Sequence, residues 1–275
     1  LRKHYRMVSK SKDVIELLKS DAEYYGGVGK EYLSNSDIYT LLREPDKFGV
    51  AKEETKEMLV GRYFHAYILE PEKAKEYLVA PVSSRNSKAY KEFCADHLIP
   101  SALLKPEQEQ VHEWADKMLS MFEFSELIKG KGITYEEPSI AQIKGEMWKG
   151  KADIINPNGF AIKVQDPFSS TYQWIEFPDG AVVDLKTSSD VLKFHQSVRT
   201  YNYDSQGYIY RELFGKPILF LVIDKRTLQL AMHPLSEVSY DRGEDKVEKA
   251  IEVYKRYYGK NATENVKLHF ISSII

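Results

Sequence analysis

The sequence predicts an α/β fold, a mixed central β-sheet flanked by helices, with a helical region at its amino-terminal side. Three observations carry this. Up to about residue 130 the apolar positions recur at helical spacing. Near Gly130 the texture changes to short segments rich in Val, Ile, Phe and Trp. Beyond that point strands, then a helix, then further strands follow one another, an order that suits a mixed sheet with helices on its faces. The expected organisation is residues 1–130 as a helical region packed on a core of residues 131–275, together one compact domain.

Residues 36–44 form a short helix, capped by Ser34 or Ser36 and stopped near Pro45. A longer helix covers about 56–69, where Met58, Leu59, Tyr63, Ala66 and Leu69 fall at helical spacing and Pro71 follows. Further helical patterns occupy about 87–97 and 107–128. Segments around 133–136, 139–144, 147–155, 160–165, 181–187, 218–224 and 228–233 read as strands, separated by turn residues such as Asn156-Pro157-Asn158-Gly159. One helix from about 190 to 214 follows the 181–187 strand, and another runs from about 236 to 258. There is no internal repeat and no low-complexity segment.

Composition narrows the classes. At 275 residues the chain can bury a full core, and its 43% apolar and 29% charged residues are those of an ordinary globular protein. No apolar run approaches the roughly 18 to 20 residues that span a bilayer, and no signal peptide is read, so no membrane partner and a cytoplasmic location are expected. The single cysteine, Cys94, excludes a disulfide framework and a four-cysteine metal site within the chain. A net charge of −2 does not announce a nucleic-acid binder, although a local basic channel would suffice for one. Gly26-Gly27-Val28-Gly29-Lys30 is not a nucleotide-binding loop. That pattern needs a glycine five residues before Gly29 and Ser or Thr after the lysine, where Tyr24 and Glu31 stand.

The most informative stretch is Val182-Val183-Asp184-Leu185-Lys186-Thr187. Strand alternation puts Asp184 and Lys186 on one side and Leu185 on the other. An acid and a lysine side by side on an apolar strand are costly to bury without purpose. One purpose is metal-assisted phosphodiester hydrolysis, with the carboxylate holding a cation and the lysine orienting water; the bland alternative is a surface ion pair. Asp153, in Gly150-Lys151-Ala152-Asp153-Ile154-Ile155, is a second strand-borne acid, and acids on neighbouring strands can share magnesium. Its bland reading is a turn-initiating residue. Glu137 precedes Pro138, which forces extended backbone; Glu136 and Glu146 are rivals that spacing does not separate. Arg199, Tyr203, Gln206 and Tyr210 fall at intervals of four, three and four, one helical stripe suited to phosphate and base contacts or to core packing. His65, alone among aromatics, reads locally as a satisfied core residue.

Taken in order, these pieces resemble the RecE-like nucleases, the exonuclease VIII carboxy-terminal domain, within the PD-(D/E)XK group that also holds lambda exonuclease. Leu33-Ser34-Asn35-Ser36-Asp37 with Glu44-Pro45 resembles the family's opening motif. Gly61-Arg62-Tyr63-Phe64-His65-Ala66-Tyr67-Ile68-Leu69-Glu70-Pro71 resembles its histidine helix, and Glu136-Glu137-Pro138-Ser139-Ile140 its glutamate strand, which favours Glu137. Lys149-Gly150-Lys151-Ala152-Asp153-Ile154-Ile155, Asp184-Leu185-Lys186-Thr187-Ser188-Ser189-Asp190 and Tyr203-Asp204-Ser205-Gln206-Gly207-Tyr208-Ile209-Tyr210 resemble the remaining three. The similarity covers roughly residues 30 to 225. Departures are Ala152 for proline, Arg62 for threonine, and a long insertion between Asp153 and Asp184 with Phe160–Gln165 and Gln173–Phe177 as a hairpin.

The resemblance implies a restriction-endonuclease-like core and a magnesium-dependent 5′→3′ exonuclease acting on linear duplex DNA, with manganese able to substitute. It implies that His65, Asp153, Asp184 and the Leu185 backbone carbonyl surround one or two ions, with Glu137 at the second position or its water shell. Lys186 would position the attacking water, Gln206 and Tyr210 would hold the scissile end or brace Lys186, and Arg199 and Tyr203 would contact DNA. It further implies a homo-oligomeric ring, a single-strand annealing partner and a phage or prophage origin. The competing expectations are a non-catalytic DNA-binding module on the same fold and an endonuclease or single-strand nuclease.

Overall fold

The computed structural model describes residues 12–51, 53–165 and 171–269. In chain order the strands are β1 (Val79–Ala80), β2 (Leu103–Leu104), β3 (Thr134–Ile143), β4 (Glu146–Asn156), β5 (Phe160–Gln165), β6 (Tyr172–Phe177), β7 (Ala181–Ser188), β8 (Ile218–Asp224) and β9 (Leu230–Pro234). Five of them make the central sheet, in the order β3-β4-β7-β8-β9. The β7–β8 pair is parallel and the other neighbours are antiparallel, so the sheet is mixed as expected. β8 is buried along its whole length, which explains its unbroken Ile-Leu-Phe-Leu-Val-Ile run: a strand covered on both faces has no reason to alternate.

From Asn35 on, the α-helices among the described residues are α1 (Asn35–Arg43), α2 (Lys56–Leu69), α3 (Pro71–Ala74), α4 (Lys88–Asp96), α5 (Lys105–Ser120), α6 (Phe122–Lys129), α7 (Phe194–Thr200), α8 (Tyr203–Phe214) and α9 (Glu237–Tyr257). They cover the sheet on both sides. On one face Phe64, Trp114 and Ile128 from α2, α5 and α6 pack on Val183, Leu185, Leu219 and Leu221. On the other, Phe194, Ile209 and Val247 from α7, α8 and α9 pack on Val182, Phe220 and Val222. The alternation of β7 and β8 thus divides their apolar side chains between two cores. The helical residues before 130 and the strands after it share the first core. α8 approaches its neighbours closely because glycine allows it: a Cβ on Gly243 of α9 would stand 2.3 Å from the Asp204 carbonyl.

Three expected elements differ. The strands at 133–136 and 139–144 are one strand, β3, continuous across Pro138. The helix expected over 107–128 is two, α5 and α6, parted at Met121, whose ψ of 121° is extended. The helix expected over 190–214 is a 3-10 turn (Val191–Lys193), α7 and α8, because Asn202 takes a left-handed conformation with φ of 58° and redirects the chain. β5 and β6 form the expected hairpin, whose tip lies outside the described residues. Among those residues no helix is long and apolar enough to cross a membrane.

Candidate active site

The site lies where two strands part. β4 pairs with β3 along its length but with β7 only from Ile154 to Asn156, against Val183 to Ala181. One more step in that register would set Asp153 against Asp184, and there the ladder stops. The Asp153 carboxylate bridges the opening, its Oδ2 accepting the Leu185 N–H at 3.0 Å. A strand N–H inside a protein needs such an acceptor once its neighbour has moved away. The same oxygen stands 3.1 Å from Nδ1 of His65, which arrives from α2. That helix is started by Thr55, whose hydroxyl accepts the Met58 N–H, and is fixed by the burial of Tyr63, Phe64, Ala66, Ile68 and Leu69. Those contacts leave His65 as its inward polar side chain.

The third member of the cluster is Glu136. Tyr135 pairs with Ile154 and Glu137 with Ala152, so Glu136 stands opposite Asp153 on the adjoining strand. Its φ of 51° breaks the regular ladder at this step. Ligand atoms of His65, Glu136 and Asp153 all lie within 4.8 Å of one another. The structure therefore brings Glu136, and not Glu137, to this cluster. Glu137 pairs with Ala152, whose methyl packs in the second core, and it sits near Lys19 of the amino-terminal segment.

Asp184 and Lys186 face the other helices, as the alternation requires. Asp184 is buried and forms an ion pair with Lys186, while its Oδ1 accepts the Gln206 side-chain amide at 2.5 Å. The Lys186 amine lies 4.8 Å above the Tyr203 ring and 5.8 Å from that of Phe220, a cation–π seat that fixes the amine without neutralising it. Gln206 thus braces Asp184 rather than Lys186. Tyr210 donates to the Lys151 carbonyl at 2.7 Å, holding α8 against β4, and lies near enough to Asp184 and Asp153 for their charges to act on its hydroxyl. Arg199 is exposed on α7, on the far side of the Asn202 break, so the expected four-residue stripe is not continuous. Leu185 packs its side chain in the first core and supplies its N–H to Asp153.

Two supports were not foreseen in the sequence. Asp204 is fully buried and takes Arg242 at 2.7 Å and Lys246 at 2.8 Å, which ties α8 to α9. Lys246 also donates to the Arg199 carbonyl and to Asn202, locking the bend between α7 and α8. Lys149 and Lys151, flanking Gly150 on β4, are buried beneath the Tyr24 ring at 4.3 and 4.8 Å, and Lys151 pairs with Asp21 at 2.9 Å. An Asp among apolar helix positions and a lysine pair on a strand were the available signals.

The electrostatics of the cluster are those of crowded acids sharing protons. Burial would lower His65, but the Asp153 carboxylate outweighs it and lifts the imidazole to about 8. Burial and then the Asp153 charge raise Glu136 to about 8. Burial raises Asp184 to about 6, with Asp153 adding to the rise and Lys186 opposing it. Asp153 itself is held below the ordinary carboxyl range; burial opposes this, but His65, Lys186 and the Leu185 N–H prevail. Burial works against the Lys186 ammonium, yet Asp184 raises it above its usual value. Two carboxylates and an imidazole within one small volume suit a divalent cation that favours oxygen donors, with Asp184 on the adjoining strand.

The sheet order, the split strands and the acid–lysine pair define a PD-(D/E)XK-like α/β fold with an amino-terminal helical region. Residues 43–176 match a protein family described as a PDDEXK-like domain of unknown function, a span that holds His65, Glu136 and Asp153 and ends before Asp184. A solved structure described as a candidate exonuclease from Eubacterium rectale superposes with a TM-score of 0.54 at 17% identity, over 93% of this chain and 95% of that one. Its likeness is one of fold. The structure of SSO0001 aligns over 72% of this chain and 88% of that one at 15% identity, with a TM-score of 0.28 that carries no argument. No curated protein matches the sequence.

Proposed function

We propose that the chain is a divalent-metal-dependent DNA exonuclease that degrades linear duplex in the 5′→3′ direction. The observation that carries this reading is the parting of β4 and β7, which gathers Asp153, His65 and Glu136 on one side and Asp184 with Lys186 on the other. Magnesium, or manganese in its place, held by His65, Glu136, Asp153 and Asp184, would neutralise charge on the phosphate and make hydroxide available near neutral pH. Lys186 orients the attacking water and offsets the negative charge that develops on the phosphate. Its seat over Tyr203 keeps the amine from swinging away. Gln206 holds Asp184 in place, and Tyr210 fixes the strand that carries Asp153. Direction, duplex preference, a ring-shaped oligomer and a single-strand annealing partner rest on the resemblance of the ordered motifs to RecE-like nucleases.

The test is a time course on end-labelled linear duplex and on a closed circle, with magnesium, manganese or EDTA. Loss of 5′ label as mononucleotides, only from linear DNA and only with metal, is the expected result. Nicking of the circle would shift the reading to an endonuclease on this fold. Intact DNA under every condition would refute it in favour of a non-catalytic module.

A further inference from the structure

Beyond the carboxyl end of β7 lies a cleft of about 630 Å³ that the catalytic reading does not use. Its walls are the Ser188–Lys193 turn, α7 and the turn after β8. The walls are tied together. Lys225 donates its N–H to the Ser188 carbonyl at 2.8 Å, and buried Asp224 takes the backbone N–H groups of Arg226 and Thr227 at 2.9 Å each. Arg226 in turn reaches the Ser189 carbonyl at 3.3 Å. Two cations, Lys193 and Arg226, line the cleft against one lining carboxylate, Asp190, while the Asp224 carboxylate is buried behind Arg226. The Lys193–Asp190 pair, 3.3 Å apart and exposed, is of the kind that an incoming phosphate exchanges at little cost.

The cleft also holds an aromatic ring with its surface open. Tyr201 is 62% exposed at the bend between α7 and α8. Its ring lies 5.9 Å from that of Tyr203, which in turn carries the Lys186 amine at 4.8 Å. A stacked strand advances about 3.4 Å per nucleotide. A base on Tyr201 would therefore belong to a nucleotide within a few steps of a phosphate at Lys186.

We propose that this cleft is a subsite for single-stranded DNA next to the scissile phosphate, with Tyr201 as the stacking surface for a base and Lys193 and Arg226 as phosphate contacts. Rings serve this purpose without sequence preference, because every base has a face to offer. The position agrees with the general tendency of α/β sheets to bind ligands outside the carboxyl ends of their strands. The proposal takes from the nuclease reading only that a phosphate sits at Lys186, and binding can be measured apart from cleavage.

The test is fluorescence anisotropy of a short fluorescein-labelled oligothymidylate in calcium, the oligonucleotide being sized afterwards to show that it is intact. Wild type, Tyr201→Leu, Tyr201→Trp and Lys193→Gln are compared, and thermal melts confirm that each is folded. Tyr201→Leu should weaken binding about tenfold, the worth of one base on a ring, and Tyr201→Trp should retain it. Lys193→Gln should reduce the slope of log affinity against log salt by about 0.7. Binding by Tyr201→Leu equal to wild type would overturn the subsite while leaving wild-type cleavage, and so the nuclease reading, intact. Ring-dependent binding by a protein that cleaves no DNA would support the subsite and remove the nuclease. No binding by the wild type would overturn the subsite.

Discussion

Divalent-metal binding at the His65–Glu136–Asp153 cluster should be strongly pH-dependent, because two of its members hold protons at neutrality. His65 and Glu136 both sit at about 8 in the free protein. At pH 7 such a group keeps its proton in about nine molecules of ten. The ligand forms are the neutral imidazole and the ionised carboxylate, so an ion that uses both must displace nearly two protons. The sign follows: raising pH strengthens binding and lowering it weakens binding. Each linked proton is worth about 1.4 kcal/mol per pH unit, so the apparent affinity should fall up to about 100-fold from pH 7 to 6 and level off above about pH 9. Titration calorimetry with magnesium or manganese, at pH 7 in buffers of different ionisation enthalpy, counts the protons released. Glu136→Gln should remove about one of them. An affinity constant across this range, with no proton released, would refute the shared-proton account and with it the use of these side chains as ligands.

Other outcomes follow from the same contacts. Lys186→Ala should remain folded, because the Asp184 carboxyl, raised to about 6 by burial even beside the ammonium, can take up a proton once Lys186 is gone. Its metal-dependent cleavage of linear duplex should fall by about 100-fold or more, and full activity with a native circular dichroism spectrum would remove Lys186 from the mechanism. Asp204→Ala leaves Arg242 and Lys246 without their buried partner and should cost about 3 kcal/mol in chemical denaturation; an unchanged midpoint would show that the two cations find other partners. Gly243→Ala should destabilise by about 1 to 3 kcal/mol, because its methyl would meet the Asp204 carbonyl and push α9 from α8. A melt identical to wild type would show that the helices separate freely.

Much of this was legible because strand alternation is a local rule. Asp184, Leu185 and Lys186 divide between two faces as the pattern requires, and β8 reads as an unbroken apolar run because it is covered on both sides. The choice between Glu136 and Glu137 was not legible. It turns on a single positive φ at Glu136 and on the partner strand opposite it, and neither leaves a mark on the residue types themselves. The 190–214 segment misled for a related reason: Asn202 is tolerated inside a helical pattern, yet its left-handed conformation is held by Lys246 and by Asn35, both distant in sequence. His65 gave no local sign of its Asp153 partner, which a helix and a strand bring together only on folding. The basic motif on β4 gave lysines, but not their burial under Tyr24.

Asp153 serves two masters, since the oxygen that faces His65 is also the clasp between separated strands. An inactivating change there would not be a clean one: it would loosen the backbone of β7 just where Asp184 and Lys186 are mounted, and any loss of turnover would mix chemistry with architecture. Glu136 carries no such clasp to β7. For trapping DNA on an intact but silent protein, it is the safer residue to neutralise.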